Sequence, residues 1–253
     1  FKIAKEKYSY LSQSLTYHLS SECITASGSA RLRLANTDIL VGVKTEIDVP
    51  YPENPEEGKL EQSDLYNLAN EISSRLSRAY QSLPLAPLCI VPKQACWKLY
   101  VDILILECGG NFYDAISLAV KAALFNTRVP QVTGSFLDGG SVDLEVSDDP
   151  FQCWRLDITK APVSCDIGDN CVVDPTAEEE TCSVASIVVA VLDSGSLTAV
   201  IKIGEGSVHE QTLIETIKVR TIFRYLSLYL TIDDAMMSHF AAVYCTVLHN
   251  FVL

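Results

Sequence analysis

The chain has 253 residues, 48% of them hydrophobic and 20% charged, which excludes a disordered protein and leaves ample apolar material for a sizeable core. Its formal net charge of −13 excludes a chain that grips nucleic acid by bulk positive charge; such a chain borders RNA only where partners supply cations, and its acidity suits docking on basic surfaces. Nine cysteines with no CxxC pair, and no histidine close to the pairs Cys89/Cys96 and Cys165/Cys171, give no indication of a zinc ribbon or a redox dithiol, and point to free, buried thiols in a reducing compartment.

In chain order, Phe1–Tyr10 is charged and lacks the apolar stretch of a signal peptide. From Ser27 to Val49, Leu32 and Leu34 alternate with Arg31 and Arg33, Asn36-Thr37-Asp38 makes a turn, and Ile39, Val41, Val43 and Ile47 alternate again; this predicts a β-hairpin. Pro50–Gly58 is a loop rich in Pro and Glu. Leu65, Leu68, Ile72, Leu76 and Tyr80 recur at helical spacing, so Asp64–Tyr80 is predicted helical, with Ser63 or Asp64 as its cap. Trp97–Glu107 is so continuously apolar that a central strand covered on both faces is expected. Gly109-Gly110-Asn111 is a sharp strand-to-helix turn. The helix after it, Tyr113–Asn126, is apolar almost all round apart from a stripe of Asp114, Ser117 and Lys121, with the Lys121 head expected in solvent.

Phe136–Pro150 reads as an acidic loop and as the boundary between two halves. Short strands around Trp154–Ile158 and Cys165–Val173 follow. A second hairpin is expected from Thr181–Leu192, the turn Asp193-Ser194-Gly195, and Leu197–Ile203. Glu178–Glu180 reads as a solvated turn, Gln211–Tyr225 as a helix, and Ala235–Leu253, interrupted by His239, His249 and Asn250, as an amphipathic or buried helix rather than a membrane span. His18 and His209 complete a scattered set of histidines with no partnered nucleophile. The element order gives an α+β class with mixed sheets and packed helices.

Four runs carry a resemblance: LILECGGNFYDAISLAVKAALFNTRVP (Leu104–Pro130), SGSARLRLANTDILVGVKTE (Ser27–Glu46), LEVSDDPFQCWRL (Leu144–Leu156) and VVDPTAEEETCSVASIVVAVL (Val172–Leu192). They resemble the ribonuclease PH-like ring subunits of the RNA exosome, most closely the component 7 type. The resemblance implies the ribonuclease PH fold in two βαβ-type halves: residues 1–135 like its domain 1, residues 151–230 like its domain 2, and a divergent tail over 231–253. Two departures accompany it. No Arg-Pro-Asp-Gly-Arg-like segment stands between Phe1 and Cys23, and a further strand and loop of the family is not found between Leu60 and Glu61.

Active members of the family degrade RNA from its 3′ end by phosphorolysis. That reaction needs a cation to hold phosphate beside an anionic backbone, and carboxylates to bind a metal ion or protonate the leaving oxygen. In active members the Gly-Gly turn precedes Thr-Arg-Thr, whose Arg contacts phosphate. Here it precedes Asn111-Phe112-Tyr113, so Phe112 stands at the Arg position. Active members also carry two aspartates six residues apart; counting from Asp174, Glu180 and Ser186 stand there, and no Asp occurs between Pro175 and Leu192. The resemblance therefore implies a non-catalytic scaffold with no cofactor and no metal. Its expected partners are other ribonuclease PH-like subunits in a hetero-hexameric ring, RNA-binding cap subunits, a separate catalytic ribonuclease, and RNA threading the channel. Arg31, Arg33, Lys121 and Arg128 are the RNA-contact candidates, and nucleus, nucleolus and cytoplasm the expected locations. The rival reading is a phosphate-dependent 3′–5′ exoribonuclease.

Overall fold

The structure is a computed structural model, and it describes residues 16–18, 26–34, 36–62, 67–110, 112–136, 142–168, 177–183, 185–192, 194–211 and 213–214. The expected C-terminal helices, Gln211–Tyr225 beyond Ile214 and Ala235–Leu253, lie outside these residues, as do Asn111, Asp174, Cys23, Cys171, Cys245, His239 and His249.

The first hairpin forms as its alternation predicts. Gly28–Leu34 (β2) and Thr37–Asp48 (β3) pair antiparallel, from Leu34 opposite Thr37 to Gly28 opposite Val43. A strand with no signal in the sequence, Thr16–His18 (β1), lengthens the sheet on the β2 side. On the other side β3 pairs along its length with Ala95–Glu107 (β6). Lys59–Gln62 (β4) lies parallel to β6, and Cys89–Val91 (β5) pairs with the start of β6, giving the order β1-β2-β3-β6-β4 with β5 beside β6. The chain runs unbroken through Leu60 and Glu61 as part of β4, so the expected gap leaves no break in the sheet.

Between β4 and β6 runs the helix Asn67–Ala79 (α1). Its Ile72 and Leu76, with Tyr80 just after the helix, are buried at the spacing that predicts them, and Ala79 is buried beside them; Leu65 and the caps Ser63 and Asp64 lie outside the described residues. The loop after β3 and the edge strand β4 are tied down by charges. The Lys59 ammonium donates to Asp48 Oδ2 at 2.8 Å, Lys98 sits 2.7 Å from Glu61 Oε2, and the Tyr51 hydroxyl donates to Glu61 Oε1 at 2.6 Å. The hydrogen bond from Lys59 holds the Asp48 carboxyl below the usual range, and that from Lys98 does the same for Glu61.

Phe112–Asn126 (α2) lies across β2 and β3 and is covered from its other side by Val163–Gly168 (β11). Every residue from Asp114 to Leu124 is consequently buried. A helix apolar almost all round is buried as expected, but the Lys121 head, expected in solvent, is enclosed with Asp114 and Ser117, because β11 closes the side that the first sheet leaves open.

Past α2, Arg128–Pro130 (β7) pairs with Cys153–Arg155 (β10), and Val132–Phe136 (β8) pairs with Val142–Val146 (β9). The expected loop Phe136–Pro150 therefore contains a strand. Its alternating Val142, Leu144 and Val146 outweigh the acidic residues between them once β8 offers a ladder. Ala177–Cys182 (α3) is a short helix where a turn and a strand start were expected, and the hairpin begins only at Ser186–Val191 (β12), turning through Gly195 into Leu197–Ile203 (β13). The three strands order as β11-β12-β13.

A single apolar cluster joins the halves. Leu32, Ile39, Val41, Leu99, Ile116, Leu118 and Leu124 from the first half meet Leu156, Ile158, Ala161 and Ala190 from the second. Burying each large side chain of this kind contributes about 1.5–3 kcal/mol. Two expectations about burial fail. The β6 strand is covered on one face only, and Leu104 and Leu106 on the other are 55% and 45% exposed. Cys108, expected inside, is exposed with Cys182, while Cys96 is buried; these three, Cys89 and Cys153 are free thiols.

Candidate functional site

The Gly-Gly turn is built as the strand-to-helix elbow the residues imply. Gly110 has φ 113°, which a side chain adopts only with strain. Gly109 has no room for one: an added Cβ would lie 2.4 Å from the Asn36 Cβ. The Thr37 hydroxyl clamps the turn, donating to the Gly110 carbonyl at 2.7 Å and accepting from the Gly109 N–H at 3.1 Å. Thr37 itself is buried, at the start of β3. The hairpin turn thus locks the elbow from across the sheet.

Helix α2 starts at Phe112, whose ring packs on the core and lies 4.3 Å, centroid to centroid, from Tyr113. The Arg75 guanidinium of α1 sits over the Tyr113 ring, 4.4 Å from its centroid, and is ion-paired with Glu71. At the position where the resemblance expects a phosphate-binding cation stand two tilted aromatic rings, and the guanidinium over Tyr113 is bound to a carboxylate. Its Nη1 and the Tyr80 hydroxyl are buried without a hydrogen-bond partner among the described residues, and burial pushes the Tyr80 phenol far above its ordinary value.

The second half contributes Ser186, half-buried at the first position of β12 and opposite Gly168 and Ile203. Glu180 lies in α3, and its side chain is outside the described residues; Glu178 in the same helix is exposed. Among the described residues no cluster of His, Cys, Asp and Glu has the make-up of a metal site.

The four RNA-contact candidates separate sharply. Arg31 gives two hydrogen bonds to Asp38, Nε to Oδ1 at 3.0 Å and Nη2 to Oδ2 at 2.8 Å, and these bonds hold the Asp38 carboxyl below the usual range. Arg33 is exposed and 3.5 Å from Glu107. Lys121 is fully buried in α2, so its ammonium is withdrawn from any RNA passing the surface. Arg128 is exposed on β7, and the pairing of β7 with β10 places Arg155, also exposed, directly opposite it. Neither arginine makes an ion pair among the described residues, and Arg155 lies 5.5 Å over the Phe125 ring. Like charges opposite one another weaken a sheet, a cost that the place of Arg155 over the Phe125 ring offsets in part. Sequence spacing carries no hint of Arg155, because the register between β7 and β10 is a tertiary fact.

Set against known proteins, residues 19–130 match the 3′ exoribonuclease family, domain 1, and residues 164–221 match the same family, domain 2. The exosome complex component Rrp42 of Methanothermobacter thermautotrophicus is 33% identical over 77% of this chain and 76% of its own length. The protein of that name in Methanopyrus kandleri is 34% identical over 78% of each. Among solved structures, a chain of an archaeal exosome core superposes with a TM-score of 0.67 at 25% identity, covering 91% of this chain and 98% of the other.

Proposed function

The chain belongs to the 3′ exoribonuclease family, with that family's domain 1 and domain 2 in order, and from this premise we propose that it is a non-catalytic, component 7-like ring subunit of an RNA exosome. In this reading it stands in a hetero-hexameric ring of ribonuclease PH-like subunits, beneath RNA-binding caps, and feeds RNA to a separate ribonuclease during 3′-to-5′ RNA processing and turnover, ribosomal RNA included. The nucleus, nucleolus and cytoplasm are the compartments where that work would be done. The Rrp42 relatives support the place in the ring.

The observation that carries the non-catalytic part is Phe112. A phenyl ring packed on Tyr113 offers no hydrogen bond and no charge to a phosphate, and the neighbouring guanidinium of Arg75 is engaged with Glu71. Ser186 adds a second loss, since a hydroxyl at neutral pH neither binds a metal ion as a carboxylate does nor delivers a proton as an acid. The elbow of Gly109 and Gly110 survives both losses because the fold needs it to join β6 to α2. RNA that brushes this subunit would meet Arg128 and Arg155, two adjacent exposed cations that make no ion pair among the described residues.

The test is release of nucleoside diphosphates from a 3′-labelled RNA by the purified chain in orthophosphate. The expected result is none, and none from Phe112→Arg or Ser186→Asp alone, since each restores only one part of the machinery. Phosphate-dependent release by the unaltered chain contradicts the scaffold reading.

A further inference from the structure

The turn between β9 and β10 presents one side chain in a way the fold does not explain. Phe151 is 90% exposed, the most exposed of the large hydrophobic side chains described. It is not on a loose loop. Its N–H donates to Asp149 Oδ1 at 2.9 Å, the Gln152 N–H donates to the Asp149 carbonyl at 3.0 Å, and the Asp149 N–H donates to Ser147 Oγ at 3.3 Å. The Ser147 hydroxyl also meets the Gln152 side-chain carbonyl at 2.9 Å, and the Cys153 thiol donates to the Pro150 carbonyl at 3.4 Å. Gln131 ties both ends of the turn to the body, donating to the Gln152 carbonyl and accepting from the Ser147 N–H, each at 3.0 Å. Pro150 fixes the backbone immediately before the ring. A phenyl group held out by such a frame has little left to lose in ordering when it is buried by something else, which is the property of an interface anchor.

The surroundings state what kind of surface it fits. Asp143 and Glu145 on β9 and Asp148 and Asp149 in the turn are all exposed, and no Lys or Arg occurs between Arg128 and Arg155. Asp148 and Asp149 precede the ring within the same turn, and Asp143 and Glu145 lie on the strand leading into it; carboxylates so placed repel a phosphate backbone, so stacking on an RNA base is disfavoured. They favour a cavity whose rim is cationic. We propose that the Phe151 turn is a docking element that inserts its ring into an apolar pocket, rimmed by lysine or arginine, on a partner protein. This proposal is independent of the chain's place in a ring: any associating protein with that chemistry satisfies it.

The experiment puts a photoreactive phenylalanine, p-benzoylphenylalanine, at position 151 of the full chain, irradiates the producing cells, and maps the adduct by peptide mass spectrometry. The expected result is one dominant adduct on a second protein, at apolar residues with Lys or Arg close by, its yield falling several-fold in the pair Glu145→Gln and Asp148→Asn. Phe151→Ala should weaken association with that protein about tenfold or more, the change that burying one phenyl ring accounts for, and should leave the melting temperature unaltered. An adduct on RNA, an adduct within this chain, or no adduct overturns the proposal, as does a protein site without basic residues. Whether ribonuclease PH-like subunits accompany the chain is scored separately, so a failed ring reading and a failed docking element give different results.

Discussion

The two faces of the first sheet follow different rules. On the face under α2, Leu32, Ile39, Val41, Val43, Leu99 and Val101 lie in register from strand to strand and are all buried. On the opposite face the same strands carry Arg31 with Asp38, Arg33 with Glu107, and Lys44 with Asp102, while Leu104 and Leu106 stay exposed among them. Both faces belong to apolar-looking strands. The difference teaches that a run such as LYVDILIL reports the pairing of a strand and not how many of its faces are covered.

The comparison breaks most readily at the covered face. Leu99→Ala should lower the stability of the chain by about 2–5 kcal/mol, read as a fall in the urea midpoint at unchanged slope, because it opens a cavity in the buried core. Leu104→Ala on the same strand should cost less than about 0.5 kcal/mol in the isolated chain. Equal losses at the two positions would mean that the open face is covered after all. Gly110→Ala should cost about 1–3 kcal/mol, since it forces a side chain into a left-handed conformation at the elbow.

Much of this architecture was legible in the residues. The hairpin of β2 and β3 follows from its alternation, α1 from Ile72, Leu76 and Tyr80, and the elbow from two glycines between an apolar strand and an apolar helix. What escaped is what neighbours decide. The strands β1 and β4 are too short and polar to announce themselves and exist because β2 and β6 offer ladders. Lys121 looked like a solvated residue because nothing in its own helix reveals that β11 lies over it. At the candidate site, an apolar ring at position 112 after the Gly-Gly turn is read directly from the sequence, whereas the Thr37 clamp and the pairing of Arg128 with Arg155 depend on contacts between distant segments.

The charged face has a smaller effect and a pH signature. Asp38 is held below the usual carboxylate range by its hydrogen bonds to Arg31, so its contribution is complete above about pH 4, the unfolded value, and is lost as the pH falls through the lower folded value. Urea unfolding at a series of pH values should show stability dropping below about pH 4, with Asp38→Asn costing about 1–2 kcal/mol at pH 7 and flattening that drop. No change between the two proteins across the acid limb would show that the pair does not hold the hairpin. Smallest of all, Arg33→Ala and Lys44→Ala should each stay within about 0.5 kcal/mol of the parent, because their partners are as exposed as they are. If RNA passes Arg128 and Arg155, replacing both with alanine should change stability by no more than about 1 kcal/mol, the worth of the Arg155–Phe125 contact, and make RNA binding by the assembly less steeply dependent on salt.

The central claim is that this chain works as a silent member of a ring. Its most direct test is native mass spectrometry of the tagged chain purified from its own cells in mild salt. The account predicts one copy of the chain in a complex with several other ribonuclease PH-like subunits, cap proteins and a hydrolytic ribonuclease. Recovery of the chain alone, or only with copies of itself, would contradict it.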